Sequence, residues 1–124
     1  MLGHLSLGVA DLDRSQAFYD AVLATLGFVR VFGHPRAIGY GAPGGNDRLA
    51  LFAHPDRTDL AAGPGFHLAF PAPNQDAVHA FHDAALAHGG SCEGEPGPRP
   101  HYGERYYACF VRDPDGHKLE AVFQ

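Results

Sequence analysis

Hydrophobic and polar side chains alternate from Leu2 to Val9, the period of a strand with one buried face. Asp11 or Asp13 can cap the helix that follows, in which Phe18, Val22 and Leu26 recur at helical spacing and which Gly27 ends. Three short β-rich runs come next: Phe28 to Phe32, Ala37 to Gly41 and Arg48 to Phe52. The turn signals His34-Pro35 and Gly44-Gly45-Asn46 separate them. Residues 1 to about 56 therefore predict a βαβββ module. A polar linker with Gly and Pro, about 56–64, leads into a second pass through the same order, about 65–124. Its strand is Phe66 to Phe70, and its helix is Gln75 to His88 with Val78, Phe81 and Ala85 turned inward. A strand near Ser91 precedes the Pro- and Gly-rich stretch Gly94 to Gly103, which reads as a loop. Strand Tyr106 to Arg112, the turn Asp113-Pro114-Asp115-Gly116 and strand Lys118 to Phe123 close the chain.

The second pass is also a repeat in letters. From His4 to Gly27 and from His67 to Gly90, 63 residues on, ten of 24 positions are identical without a gap. A long period seen only twice marks a duplicated supersecondary module and not a solenoid. Both copies open on a histidine. Two modules packed about a pseudo-two-fold axis could turn those histidines, His4 and His67, toward one shared cleft.

At 124 residues the chain suits a single domain built of two half-domains with a common core. A net charge of -5 with only nine Lys and Arg excludes a basic footprint for nucleic acid or anionic membrane. No apolar run approaches the roughly 20 residues of a membrane helix, and no signal peptide is visible, so a cytoplasmic location is expected. Cys92 and Cys109 fit no metal or redox spacing and read as reduced thiols. Of the nine histidines, His79, His82 and His88 fall in the second helix, two of them on exposed turns.

The last strand reads Lys118-Leu119-Glu120-Ala121-Val122. A carboxylate among apolar neighbours costs free energy unless its charge is compensated, although alternation could also point Glu120 outward. Two imidazoles and one carboxylate are a set that holds a divalent metal and leaves positions open. In the first module Ala50 stands where Glu120 stands in the second, so the two-fold set offers three ligands and not four.

The segments His4-Leu-Ser-Leu-Gly-Val-Ala-Asp11 with Ser15 to Tyr19, Gly65-Phe-His67, and Asp113 to Glu120 occur in a familiar order and spacing. With the internal repeat, they make the chain resemble the vicinal oxygen chelate superfamily, the glyoxalase, bleomycin-resistance and extradiol dioxygenase group. The resemblance implies an α+β fold in which two βαβββ modules form an open, barrel-like cleft. It implies a divalent ion (iron, manganese, nickel or zinc) held by His4, His67 and Glu120, and a small-molecule substrate bound through adjacent oxygen atoms. The implied activity is of lyase/isomerase or dioxygenase type; the alternative is a metal-free drug-binding protein. Glyoxalase I-like isomerases usually have a fourth ligand, which falls here at Ala50. Extradiol enzymes use two His and one Glu, with a Tyr where this chain has Phe110. Members of this size commonly form homodimers, with the metal held inside one chain or between two.

His101 could serve with Glu120 in proton transfer, because imidazole titrates near neutrality. Arg99 could pair with an anionic substrate, and Tyr102, Tyr106, Tyr107 and Phe110 could line the cleft, although adjacent strand residues Tyr106 and Tyr107 must face opposite ways. Their bland reading is core and loop anchoring. His34, Tyr40 and His54 are rim candidates, and Arg36 a solvated turn charge. Periodicity alone would also allow a ferredoxin-like sandwich, which gives no reason for paired histidines.

Overall fold

The computed structural model describes residues 1–124. Module one runs β1 (Leu5–Val9), α1 (Leu12–Ala24), β2 (Val29–His34), β3 (Ala37–Gly41) and β4 (Leu49–Ala53). Module two runs β5 (Leu68–Pro71), α2 (Gln75–Ala87), β6 (Ser91–Pro98), β7 (Tyr107–Arg112) and β8 (Lys118–Phe123). The result is α+β, two helices with two open four-stranded sheets ordered β1-β4-β3-β2 and β5-β8-β7-β6. In each sheet the first strand pairs in parallel with the last, which needs a crossover, and α1 and α2 begin those crossovers.

The helices start where side chains can take up free backbone donors. Asp11, not Asp13, caps α1 by accepting from Arg14 N, and Asn74 caps α2 by accepting from Ala77 N at 2.8 Å. Gly27 leaves α1 in the left-handed region at φ +88, which favours glycine. The buried helical faces are Phe18, Tyr19, Val22 and Leu23 on α1, and Val78, Phe81, His82 and Ala85 on α2. All of these but His82 join Leu7, Val9, Leu51, Leu119 and Ala121 from the sheets in one core of 20 buried residues. Full burial of a large apolar side chain such as Phe18 or Phe81 stabilises by about 1.5–3 kcal/mol. At Gly90 the chain passes so close to Phe18 that a Cβ would lie 2.8 Å from its ring.

The modules meet back to back through their helices and through the turn after β7. Asp115 Oδ1 accepts from Ala10 N at 3.1 Å and from Arg14 Nη2 at 2.9 Å, and Tyr19 donates to Asp113 Oδ2 at 2.6 Å. His117 Nε2 lies 2.8 Å from the Gly8 carbonyl, so that nitrogen donates; buried Nδ1 has no partner. Burial pushes the Asp113 carboxyl above its ordinary value against the opposing pull of the Tyr19 hydrogen bond, and it pushes the Tyr19 phenol well above its own. The Asp-Pro-Asp-Gly turn thus fastens one module to the other, a role its turn signal does not convey.

One expectation is corrected. The stretch from Gly94 is not loop at first, since β6 continues to Pro98. It is an edge strand, where proline costs no interior ladder bond, and its register against β7 shifts twice, between Cys92 and Gly94 and between Gly94 and Gly97. The loop proper spans 99–106.

Candidate active site on the open face of the second sheet

Register confirms the internal symmetry. Ser6 pairs with Ala50 in β1–β4, and Ala69 pairs with Glu120 in β5–β8, so Ala50 and Glu120 hold equivalent places. Leu119 and Ala121 face the core, and Glu120 between them must project from the other face, the side away from α2. It is nevertheless only 1% exposed. Glu120 Oε1 lies 2.9 Å from His67 Nε2, and Oε2 accepts from the Tyr106 hydroxyl. Neither Lys nor Arg pairs with it. Burial first, then the bond to Glu120 and its charge, push the Tyr106 phenol up to about 12, so it stays a donor across the neutral range.

A cleft of about 700 Å³ opens beside this pair, lined by His67, Arg99, His101, Tyr102, Phe110 and Lys118 among others. Phe110 is its apolar platform: the ring meets His67 edge-on at 5.8 Å, with Arg99 5.7 Å and Lys118 5.3 Å from its centroid. The His101 ring packs at a tilt against Tyr102, with centroids 4.1 Å apart, and Tyr102 leans on Tyr106 at 5.2 Å, so an aromatic chain runs from the loop to the buried carboxylate. Arg112 also borders the cleft, paired with Glu93.

Tyr107 leaves this group. It faces α2, packs against the core and shares a 2.6 Å hydrogen bond with His79, because alternation sends it opposite to Tyr106. The ligand atoms of His4, His67 and Glu120 do not all come within 4.8 Å of one another in the chain. His4 stands exposed just before β1 beside a second, apolar cleft of about 280 Å³ with Leu5, Phe28, Tyr40, Leu68 and Phe70. Ala50 is buried and offers no donor atom. Lys118 and Arg112 went unread in the sequence, although strand alternation from Glu120 and Phe110 would have put them on the same face. Of the rim candidates, Tyr40 is buried and donates to Asp20 Oδ1 at 2.8 Å, and His34 accepts from Arg36 N at 3.2 Å.

Residues 1–121 match the family described as Glyoxalase/Bleomycin resistance protein/Dioxygenase superfamily. A protein of Synechocystis named "Probable lactoylglutathione lyase" is 32% identical over 96% of this chain and 92% of its own length. One of the same name from Vibrio parahaemolyticus is 31% identical over 96% and 87%. The crystal structure of a glyoxalase/bleomycin resistance protein from Albidiferax ferrireducens superposes with a TM-score of 0.82 at 34% identity, covering 98% of this chain and 96% of that one. No helix of the chain is long and apolar enough to cross a membrane. By its sequence and by its paired βαβββ modules, the chain belongs to the glyoxalase/bleomycin resistance/dioxygenase superfamily.

Proposed function

We propose that the protein is a metal-dependent enzyme of lyase/isomerase type, acting on a small anionic molecule that presents two adjacent oxygen atoms. The observation that carries this reading is Glu120, a carboxylate 1% exposed, compensated only by an imidazole and a phenol. Removing such a charge from water without a cation beside it is costly. His67 and Glu120 present an imidazole nitrogen and a carboxylate oxygen side by side, a donor pair that suits a divalent ion of the zinc, nickel, manganese or iron class. The ion, when bound, would polarise the substrate oxygens and stabilise the oxyanion that forms.

The third ligand is His4 of a second copy, so that the working site is shared in a homodimer. In support, His4 is exposed on the other module, and the same module exposes Phe52, at 43%, on the face that carries Ala50. The chain's own residues supply the rest. Tyr106 holds Glu120 Oε2, fixing the carboxylate that exchanges a proton with the substrate. Phe110 excludes water from one wall, and Arg99 and Lys118 attract an anionic group. The curated relatives' name favours the isomerase branch; the two-histidine, one-carboxylate set is what supports an oxygenase as second reading.

The test is metal analysis of protein purified without chelator, followed by hemithioacetal-isomerisation and oxygen-uptake assays. Loss of one ion per chain relative to wild type in His4→Ala, His67→Ala and Glu120→Gln alike is expected, with isomerisation and no oxygen uptake by the wild type. Metal-free, inactive protein that binds a drug-like ligand tightly would replace this reading with the sequestering one.

A further inference from the structure

We propose that His82, Cys92 and Glu95 form a second metal site, for a zinc-class divalent cation, on the opposite side of the second sheet from the cleft. Their ligand atoms lie within 4.8 Å of one another. His82 Nε2 is 3.2 Å from Cys92 Sγ, which is 3.9 Å from Glu95 Oε1. Zinc bonds of about 2.3 Å to sulfur and about 2.0–2.2 Å to nitrogen or oxygen, at a tetrahedral angle, put such ligand pairs about 3.5 Å apart. The two observed separations bracket that value.

The backbone explains the convergence. Residues three apart in a regular strand point to opposite faces, so Cys92 and Glu95 should diverge. The register shift between Cys92 and Gly94 inserts one extra residue there. Cys92 pairs with core-facing Val111 and therefore turns toward α2; Glu93 and Gly94 both turn to the cleft, and Glu95 returns to the α2 side. His82, 4% exposed, is fixed in α2, whereas Cys92 and Glu95 are exposed and free to adjust. One rigid imidazole, one thiolate and one carboxylate leave a fourth tetrahedral position for water.

Module one has the same bulge without the ligands. Its register shift falls between Arg30 and Phe32, which places Arg30 where Cys92 stands, and Tyr19 where His82 stands. The donor set is thus an addition to module two and no requirement of the duplicated fold. Zinc would tie edge strand β6 to α2.

Cobalt(II) titration of chelator-stripped protein separates this site from the cleft, whose ligands include no sulfur. Wild type is expected to show a sulfur-to-cobalt charge-transfer band that Cys92→Ser abolishes and Glu95→Gln weakens. Cys92 is exposed, so its serine variant should fold. The band should persist in His67→Ala and Glu120→Gln, and zinc should raise the Tm of wild type but not of Cys92→Ser by that site's share. No such band at saturating cobalt, or a band that survives Cys92→Ser, would overturn the proposal.

Discussion

Tyr106→Phe removes one oxygen from the protein and should weaken metal binding at the cleft sharply. The Tyr106 hydroxyl donates to Glu120 Oε2, and Glu120 is 1% exposed, so water cannot replace the lost donor. A hydrogen bond to a charged group contributes about 1.5–3 kcal/mol, which at about 1.4 kcal/mol per factor of ten is a loss of roughly tenfold to 150-fold. Loss of a group that orients a metal ligand costs about 10–100-fold in affinity by an independent route. The phenol is held up to about 12, so it donates throughout the neutral range, and the loss should be flat with pH there. The assay is a competition titration against a chromophoric chelator. Tyr107→Phe is the internal control, since it removes the same atom from the neighbouring residue on the opposite face, where the hydroxyl meets His79. Equal affinity in Tyr106→Phe and wild type, or an equal loss in the Tyr107 variant, would refute the argument.

Three further outcomes can be checked. Tyr19→Phe breaks the 2.6 Å bond to buried Asp113 and should cost about 1.5–3 kcal/mol of stability at neutral pH, read by chemical denaturation. The Asp113 carboxyl is raised in the folded state, so its contribution is present below the ordinary carboxylate value and lost as pH rises through the raised one; Asp113→Asn should flatten the stability profile between those limits. His101→Ala should leave metal content intact and lower kcat/KM by about 10²-fold or more if the imidazole moves a proton, a split that steady-state kinetics with metal analysis resolves.

The repeat from His4 to Gly27 carried the architecture because it encodes the same strand, cap and helix twice, and the ladders follow from them. The equivalence of Ala50 and Glu120 came from counting and reappears in the strand registers. Other features depend on pairing between distant residues. His82 sits at the position of Tyr19 in the repeat and is buried like it, although the sequence alone did not say which of the second helix's three histidines would turn inward. The bulge in β6 follows from its fit to β7, not from any local turn signal, and proline content made an edge strand look like loop. The clasp of Asp113 and Asp115 on residues about a hundred positions earlier has no periodic signature at all. The distance of His4 from Glu120 depends on how the modules lean together, which neither module's pattern contains.

No backbone-to-backbone hydrogen bond joins the modules; every ladder closes within one half of the chain. The halves are held by helix packing and by side chains reaching across. Each half can therefore form its own ladders during synthesis, the first while the second is still emerging, whereas burial of the shared core waits for the complete chain. The linker between β4 and β5 carries no ladder, and a nick there would leave both sheets whole. The same property makes order along the gene immaterial to the folded product: a circular permutant opening at the linker, with the old ends joined, would rebuild the same two sheets.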